Sequence, residues 1–396
     1  MPGNEEMQER NDKIRVLQVN KLYHPVTGGI ERVVQQLAEG LCEDTDTKVL
    51  VCRKKGRTIV EQIAGVEVTR ASSMGMLSSL PLSVSFLWKF RRMVKDRDIV
   101  HIHMPFPLGD LACFLSGYKG KVILWWHSDI VRQKKLMKLY RPLMEWLLRR
   151  ADCIVVATQG HIDGSRYLKP YQDKCRIIPF GVDPKIEKEA DRWYEEGGPS
   201  ERSQEKNAAV KYLFVGRLVY YKGCRTMIEA FVQAAKADSY IQLDIVGTGP
   251  LEPELKKQTE ELGLTDRIHF HASVGDDELI GFFKECDVFV LPSLQRSEAF
   301  GLVQIEAMAF GKPVINTKLP SGVPYVSLHG ETGLTVEPGN TAELAEAMQY
   351  LAEHPAERRR MGERARERMD EQFRMDKMLE RVLRLYEEFV ERKLGR

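Results

Sequence analysis

Residues 287–314 read DVFVLPSLQRSEAFGLVQIEAMAFGKPV. The apolar run Asp287–Pro292 is typical of a buried strand. After a short loop, apolar side chains recur at the three- and four-residue spacing of a helix, at Leu302, Ile305, Met308 and Ala309. A strand that runs through a loop into an amphipathic helix is the repeating unit of a parallel α/β sheet, so this stretch predicts one such unit.

Two glutamates mark the loop and the helix of this unit, Glu298 and Glu306, with seven residues between them. One carboxylate is expected before the helix and the other about two turns inside it. The backbone N–H groups near Phe300, Gly301 and Leu302, with the positive end of the helix dipole, form a natural seat for a diphosphate. We therefore expect a nucleotide-sugar here, with Glu298 towards the transferred sugar and Glu306 towards the ribose.

The composition is typical of a globular protein with more than one core. The 396 residues exceed the usual size of a single domain. Residues 1–13 are polar, and no apolar run approaches the length of about 18 residues that spans a membrane, so we expect neither export nor a membrane span. Seven cysteines lack paired metal spacing, which favours buried thiols in the reducing cytosol.

The two halves of the chain differ in charge. Residues 1–190 carry 31 Lys and Arg against 22 Asp and Glu, a net charge of +9, whereas residues 191–396 carry 28 against 35, a net charge of −7. The basic half suggests an anionic partner, such as a membrane surface or a phosphorylated acceptor. Nucleic acid is not expected, because no recognition motif with interleaved aromatic residues is found.

Short strand-like runs alternate with amphipathic helical segments along the chain. They lie at 14–20, 48–52, 98–103, 121–126 and 152–157 in the first half, and at 210–215, 241–246, 267–270, 286–291 and 312–316 in the second. Such alternation predicts parallel sheets covered by helices on both faces. The predicted fold class is therefore α/β, with two doubly wound Rossmann-like domains facing across a cleft.

We place the hinge between these domains near Asp183, which separates residues 1–183 from residues 184–375. The polar stretch Lys185–Asn207 that follows is expected to be a loop or a short helix. The last segment, residues 376–396, is predicted to be an amphipathic helix that docks back on the first domain. Its apolar face consists of Met378, Leu379, Val382, Leu385, Tyr386 and Phe389.

Several short motifs follow one another in a specific order. They are Thr27-Gly28-Gly29-Ile30-Glu31, His127-Ser128-Asp129, Phe180-Gly181-Val182-Asp183, Gly216-Arg217-Leu218 with Lys222-Gly223, and Gly247-Thr248-Gly249-Pro250. With the two glutamates, they resemble glycosyltransferase family 4 over essentially the whole chain. The resemblance implies the GT-B fold, with acceptor binding by residues 1–183 and nucleotide-sugar binding by residues 184–375.

Arg217 and Lys222 flank a loop between a strand that ends at Val215 and a helix that begins near Gly223. Two cations in this position can clamp a pyrophosphate. The departing nucleoside diphosphate gains negative charge as the glycosidic bond breaks, so these cations would stabilise the transition state more than the ground state. The alternative is a surface cation pair that caps the sheet ends.

Gly28 and Gly29 open the first helix, where missing side chains allow the backbone to approach a diphosphate or a sugar. On its own, such a pair would indicate only a tight turn. The resemblance implies that both glycines contact the donor, and that Gly247 lines the base pocket with Val274 nearby. Because the glycine pattern at Gly247 is not a complete dinucleotide fingerprint, a nicotinamide cofactor is disfavoured.

His127 ends an apolar strand and should emerge at the rim of the first sheet. The resemblance assigns it a contact with the donor sugar and the reaction centre, although a lone histidine is more often a structural hydrogen-bonding group. His103, near the end of the preceding strand, is expected to line the acceptor cleft. We assign the acceptor side to His24, Thr27, His103 and Arg132.

A metal ion is not expected, and neither is a cofactor. Asp44-Thr45-Asp46 and Asp96-Arg97-Asp98 match the Asp-x-Asp pair with which another glycosyltransferase fold holds a divalent cation. Neither pair is predicted at the carboxyl edge of a sheet, so both are expected to be solvated. Arg217 and Lys222 supply the positive charge in place of a metal.

The segment Arg132–Arg150 contains seven cations, one acid and several large apolar residues. One interpretation is an interfacial helix on anionic lipid. The other is an ordinary amphipathic helix, kinked at Pro142, whose core face consists of Leu136, Leu139, Leu143 and Leu147. We expect an intermediate, which is a core-packed helix with a basic face that is attracted to a membrane.

Taken with the resemblance, these features predict a retaining glycosyltransferase on the cytoplasmic face of the inner membrane. It would transfer a hexose, with mannose from GDP-mannose as the best match, to a lipid-linked glycan in cell-surface polysaccharide, O-antigen or lipopolysaccharide synthesis. One alternative is a UDP-sugar-dependent hexosyltransferase acting on lipopolysaccharide or a glycolipid. Another, from a different class, is a non-catalytic sugar-nucleotide-binding scaffold at the membrane.

Overall fold

The computed structural model describes residues 13–26, 28–77, 80–130, 134–198, 209–236, 241–272 and 274–394. The chain forms two compact units. The first unit contains the described residues up to 157, residues 165–178 and the chain from 378 onwards. The second contains residues 158–164 and 179–377.

Within the described residues, the first unit is built on an eight-stranded sheet. Its strands are β1 (Ile14–Val19), β2 (Thr45–Cys52), β3 (Ile59–Ile63), β4 (Val66–Ala71), β7 (Ile99–Met104), β8 (Lys121–Trp126), β9 (Cys153–Val156) and β10 (Cys175–Ile177), in the spatial order β10-β9-β8-β7-β1-β2-β4-β3. The edge strand β3 pairs antiparallel with β4, and the other pairs are parallel. A small hairpin, β5 (Met76–Leu77) and β6 (Leu80–Pro81), stands apart from the sheet.

Five longer helices belong wholly or mostly to this unit: α1 (Gly29–Gly40), α2 (Val84–Met93), α3 (Pro107–Ser116), α4 (Lys134–Arg150) and α14 (Met375–Leu394). Ser83 caps α2, because its hydroxyl accepts a hydrogen bond from the Phe86 N–H. The C-terminal helix α14 packs close to α1, where a Cβ at Gly40 would lie 2.6 Å from Leu379. Its buried face contains Met378, Val382, Leu385, Tyr386 and Phe389.

Helix α4 presents a different face to the core from the one that the leucine pattern predicts. Leu139 is 81% exposed and Leu143 is half-buried, so the expectation that both face the core is wrong. Of the other two leucines, Leu147 is buried and the side chain of Leu136 lies outside the described set. The buried side chains are Met137, Tyr140, Met144, Leu147 and Leu148. The core face is therefore shifted by one residue along the helix, because methionine and tyrosine side chains face inward in place of the neighbouring leucines.

The second unit is built on a six-stranded parallel sheet in the described part of the chain. Its strands are β11 (Val210–Val215), β12 (Ile241–Val246), β13 (Ile268–His271), β14 (Val288–Leu291), β15 (Val314–Thr317) and β16 (Gly333–Val336), in the order β13-β12-β11-β14-β15-β16. Its helices are α5 (Gln159–Gly164), α6 (Pro184–Glu195), α7 (Cys224–Ala235), α8 (Glu252–Glu261), α9 (Asp276–Glu285), α10 (Leu302–Ala309), α11 (Val323–Val326), α12 (Thr341–Glu353) and α13 (Pro355–Gln372). All four residues of β14 and of β15 are buried, as expected for strands covered on both faces.

The chain passes between the units more than once, at residues 157–158, 164–165, 178–179 and 377–378. Of the two alternatives for the stretch Lys185–Asn207, a short helix is found at its start, because Pro184–Glu195 forms the three-turn helix α6. Residues 199–207 lie outside the described part of the chain. Asp183 caps this helix by accepting a hydrogen bond of 2.9 Å from the Lys185 N–H. The first helical position is a proline, which is favoured there because its fixed φ suits the start of a helix.

Candidate functional site

The predicted donor-binding residues of the second unit follow three neighbouring strands. Gly216 and Arg217 come directly after β11, Gly247 comes after β12, and the loop that carries Glu298 comes after β14. These strands are adjacent and parallel in the order β12-β11-β14. Their carboxyl ends therefore meet at one edge of the sheet, which is where ligands bind in this class of fold.

An ion pair joins two of the predicted residues at this edge. Lys222 Nζ lies 2.5 Å from Glu298 Oε2, and the two side chains are only 13% and 11% exposed. The hydroxyl of Ser293 donates a second hydrogen bond of 3.2 Å to the same carboxylate oxygen. The cation expected to bind phosphate and the carboxylate expected to bind sugar hydroxyl groups thus neutralise one another.

A glycine brings the two loops of this ion pair together. Gly223, next to Lys222, has a φ of +73°, and a Cβ at this position would lie 2.0 Å from the Pro292 carbonyl oxygen. The Leu294 N–H also donates a hydrogen bond of 2.7 Å to the Tyr221 carbonyl. The loop after β11 is therefore fixed against the loop after β14.

Gly247 allows a similar approach on the other side of β11. Its φ is +134°, and an added Cβ would lie 2.1 Å from the Gly216 carbonyl oxygen. The Leu218 N–H donates to the Thr248 carbonyl at 2.9 Å, which joins the same two loops. Arg217 between them is exposed, and its guanidinium makes no ion pair within the described residues. Val274, which was assigned to the base pocket, is half-buried and follows β13.

Helix α10 starts beside Glu298. Gly301 is its N-cap residue in the left-handed conformation, with a φ of 74°, and Phe300 before it is buried. The Gln304 side chain donates a hydrogen bond of 2.8 Å to the Phe300 carbonyl and accepts one of 3.0 Å from Asn316 on β15. This buried network fixes the first turn of α10, beginning at Leu302, whose leading N–H groups suit an anion.

Glu306 is buried on α10, four residues after the helix start at Leu302. It lies just over one turn inside the helix, and the expectation of two turns was wrong. The difference arises because the loop after β14 extends to Gly301 before the helix begins.

In the first unit, Gly28 and Gly29 lie at the exposed start of α1. Gly28 has an extended φ of 178°, and a Cβ there would meet only the Glu31 side chain. The backbone conformation therefore does not by itself require glycine at this position. His24 is exposed, whereas Thr27 and Arg132 lie outside the described residues.

His127 directly follows β8 and is buried. Its Nε2 lies 2.9 Å from Nδ1 of His103, and His103 Nε2 lies 2.9 Å from the Gln18 side-chain oxygen. His103 was assigned to the acceptor cleft, but its ring is 1% exposed and its hydrogen-bond partners are other protein side chains. The structure therefore makes His103 a partner of His127.

Three of the four aspartates in the two Asp-x-Asp matches form ion pairs with arginines. Arg97 pairs with Asp46 and with Asp96 at 2.9 Å, and it holds the pKa of Asp96 below its usual value. Arg15 pairs with Asp98, also at 2.9 Å. Over the described ranges, no group of three or more His, Cys, Asp or Glu side chains is arranged to hold a metal ion. That the reaction needs no metal stays a prediction.

Four residues that support the site through hydrogen bonds were not predicted from the sequence. They are Gln18, Ser293, Asn316 and Tyr386. Gln18 and Asn316 are polar residues inside mainly apolar strands, and both are completely buried. A buried polar side chain in a central strand needs a hydrogen-bond partner, so their positions were a usable signal. Ser293 and Tyr386 gave no such signal, because serine is common in loops and Tyr386 fits an apolar helix face.

Comparison with known proteins gives the family. Residues 27–186 match the model of Glycosyltransferase Family 4, and residues 200–368 match that of Glycosyl transferases group 1. The chain is 36% identical over 367 residues to D-rhamnosyltransferase WbpZ of Pseudomonas aeruginosa, covering 91% of this chain and 92% of that protein. The chain belongs to glycosyltransferase family 4. This family 4 enzyme is also 32% identical over 386 residues to O-antigen chain mannosyltransferase C of Escherichia coli, covering 96% and 100% of the two chains.

Solved structures give the fold of this family 4 glycosyltransferase. Sucrose-phosphate synthase from Thermosynechococcus elongatus matches with a TM-score of 0.71 at 21% identity, over 96% of this chain and 99% of that one. HepE from Anabaena matches with a TM-score of 0.72 at 18% identity, over 95% and 100%. The fold is GT-B, with two Rossmann-like α/β domains, and the enzyme is a nucleotide-sugar-dependent hexosyltransferase. No helix in the described part of the chain has the length and apolar character needed to cross a bilayer.

Proposed function

We propose that this enzyme transfers a mannosyl group from GDP-mannose, with retention of configuration, to a hydroxyl group of a lipid-linked glycan in O-antigen or lipopolysaccharide synthesis. The observation that carries the proposal is the pairing of Lys222 with Glu298 beside the start of α10. A cation, a carboxylate and a helix N-terminus at one sheet edge match the diphosphate and the hydroxyl groups of a nucleotide-sugar. The names of the mannosyl- and rhamnosyltransferase relatives support the choice of sugar and pathway.

In the proposed reaction, the diphosphate takes Lys222 away from Glu298. The bond between the anomeric carbon and the β-phosphate oxygen breaks, and its electron pair goes to that oxygen. The acceptor oxygen bonds to the anomeric carbon on the same face, while the acceptor proton passes to a β-phosphate oxygen. Lys222 and Arg217 stabilise the charge that develops on the diphosphate, and Glu298, released from the ion pair, accepts hydrogen bonds from sugar hydroxyl groups.

No metal takes part in this scheme, because Lys222 and Arg217 supply the positive charge at the diphosphate. Activity in an excess of EDTA is expected to equal activity without chelator. A loss of turnover that Mg²⁺ or Mn²⁺ restores would show that the charge balance proposed here is wrong.

A donor screen tests the proposal. Thermal melting is measured with GDP-, UDP- and ADP-sugars, since a ligand that binds only the native state at 100 times its Kd adds about 2.7 kcal/mol of stability. GDP-mannose is expected to give the largest rise in Tm and to release GDP when a lipid-linked glycan is added. A larger rise with UDP-sugars would favour the UDP-sugar-dependent alternative, and binding without turnover for any donor and acceptor would favour the scaffold.

We further propose that the first unit docks on an anionic membrane at the cytoplasmic face. Three neighbouring helices of this unit expose large apolar side chains. These are Val84 and Trp88 of α2, Phe114 and Leu115 of α3, and Leu139 of α4. Exposed cations accompany them on α2 and α4, at Arg91, Arg92, Lys138, Arg141 and Arg149. Apolar side chains that enter the interface, together with cations that meet anionic headgroups, match the chemistry of such a surface.

Liposome flotation tests this docking surface. Trp88→Ser with Leu139→Ser is expected to reduce binding to anionic vesicles, and high salt is expected to reduce it further. Leu262→Ser serves as the control, because Leu262 is an exposed leucine of the second unit. Equal flotation of the double variant and the control would remove the proposal.

A further inference from the structure

Five polar side chains form a buried line in the first unit, on β1, β7, α14 and the residue after β8. They are Gln18, His101, His103, His127 and Tyr386. Gln18 lies opposite His101 in the β1–β7 register. Tyr386 reaches these strands from the C-terminal helix, 285 positions away from His101 in the sequence.

Hydrogen bonds connect the five side chains in a single chain. Tyr386 Oη lies 2.6 Å from His101 Nδ1. The Gln18 amide nitrogen donates to Tyr386 Oη at 2.9 Å, and the Gln18 amide oxygen lies 2.9 Å from His103 Nε2. The last bond, also of 2.9 Å, joins His103 Nδ1 to His127 Nε2.

The orientation of the Gln18 amide determines the direction of the bonds between Gln18 and His127. An amide oxygen only accepts, so His103 carries its proton on Nε2 and has a lone pair on Nδ1. His127 Nε2 must then be the donor in the last bond. A neutral His127 in this arrangement has its proton on Nε2, so its Nδ1 is an acceptor. At the other end, Tyr386 Oη accepts from the Gln18 amide and shares a hydrogen bond with His101 Nδ1.

Burial keeps the His101 and His103 rings neutral. Burial lowers the pKa of His101 to about 3 and holds the pKa of His103 well below its usual value. A protonated His103 would donate from both nitrogens and would reverse the direction of its bond to His127. Trp125 of β8 stacks nearly parallel to His103, with an angle of 9° between the rings, and limits the rotation of the His103 ring.

The family resemblance assigns His127 a contact with the donor sugar, and the present inference rests on that contact and on the proposed function. We propose that Tyr386, acting through Gln18 and His103, is a positioning residue that holds the proton of His127 on Nε2. His127 Nδ1 then accepts a hydrogen bond from a hydroxyl group of the sugar substrate. The C-terminal helix thereby determines which hydrogen-bonding form of His127 meets the substrate, in addition to packing on the first sheet.

The direct test is the protonation pattern of the His127 ring, measured by ¹⁵N NMR of the full chain labelled at histidine. His127→Asn assigns the His127 signals. In the wild type, Nδ1 is expected to be unprotonated and Nε2 protonated. In Tyr386→Phe, which removes only the hydroxyl group, the Gln18 amide loses its fixed orientation, and both forms of His127 are expected. Gln18→Leu interrupts the chain one link nearer to His127 and should give the same result.

Turnover provides a second measurement. Tyr386→Phe is expected to lower kcat about tenfold, with little change in KM for the donor. This fall corresponds to a rise of about 1.4 kcal/mol in the activation free energy. His127→Asn should be insensitive to a second Tyr386→Phe change, since the residue through which Tyr386 acts has been removed. The matched control is Tyr212→Phe, which loses a buried hydroxyl bond of 2.6 Å to the Met348 carbonyl in the second unit and should leave kcat unchanged.

Two results would overturn the positioning role of Tyr386: a wild-type His127 protonated on Nδ1, or nitrogen spectra that Tyr386→Phe does not alter. Equal kcat in Tyr386→Phe and the wild type would overturn its contribution to the reaction. A wild-type chain that turns over no donor would instead count against the proposed function, because the nitrogen spectra do not depend on activity.

Discussion

The ammonium group of Lys222 lies 2.5 Å from the carboxylate of Glu298, although 75 residues separate them in the sequence. Both side chains are largely buried, and Ser293 donates to the same carboxylate oxygen. A cation that is already neutralised by a carboxylate can exchange this partner for a phosphate without being left unpaired in a site of low dielectric constant. We infer that this exchange is the first consequence of donor binding.

Lys222→Ala should strongly reduce turnover. Without the ammonium group, the charge that develops on the leaving diphosphate is less well stabilised, and kcat is expected to fall by about 10²–10³-fold, as for loss of an oxyanion-hole donor. Steady-state kinetics measure the change. Lys211→Ala is the control, because Lys211 forms an exposed ion pair with Glu285 at the opposite end of β11. A similar fall in both variants would contradict the role of Lys222.

Glu298→Gln should separate diphosphate binding from transfer. The variant no longer neutralises Lys222, so GDP alone is expected to bind more tightly than to the wild type. Turnover is expected to fall, because an amide is a weaker acceptor than a carboxylate for sugar hydroxyl groups. Calorimetry with GDP and kinetics with the donor measure the two effects. Weaker GDP binding in Glu298→Gln would mean that Glu298 does not compete with the diphosphate for Lys222.

Gly223→Ala should destabilise the second unit more than Gly263→Ala. Both glycines have similar positive φ values, +73° and +66°, so the backbone strain of an alanine is comparable. An added Cβ at Gly223 would lie 2.0 Å from the Pro292 carbonyl oxygen, whereas nothing lies within 4 Å at Gly263. We expect a loss of at least about 1–3 kcal/mol at Gly223 beyond the loss at Gly263. Equal Tm values would show that the two loops are not held in close contact.

The buried carboxyl of Asp110 makes the stability depend on pH. Burial raises its pKa to about 7, and Tyr140 on α4 donates a hydrogen bond to it. Since the folded-state pKa lies above the unfolded value, this carboxyl contributes most stability at low pH, and that contribution is lost as pH rises through about 7. Asp110→Asn should therefore flatten the fall in Tm between about pH 4 and pH 7. Asp173→Asn, at an exposed aspartate, should keep the wild-type slope.

Much of the fold could be predicted from the sequence because burial controls it directly. The runs at 121–126, 210–215 and 241–246 correspond to β8, β11 and β12 at the same residues, since parallel strands covered on both faces are almost continuously apolar. The antiparallel edge strand β3 was missed. Its residues are largely exposed or half-buried, so no apolar run marks it.

The site was less predictable because its contacts join distant segments. As a cation and a carboxylate, Lys222 and Glu298 suggested the binding of a phosphate and of sugar hydroxyl groups. Only the packing of Gly223 against Pro292 brings the two side chains together. In the same way, no local pattern connects Tyr386 to His127, since the link passes through two other side chains. Helix α4 was assigned the wrong inward face because leucine was preferred to methionine and tyrosine there.

The most direct test of the exchange at Lys222 is a crystal structure of the enzyme with GDP bound. The account predicts a β-phosphate oxygen within hydrogen-bond distance of Lys222 Nζ, close to the first amides of α10, and a broken bond between Lys222 and Glu298. A structure with GDP bound elsewhere, and with Lys222 still 2.5 Å from Glu298, would contradict it.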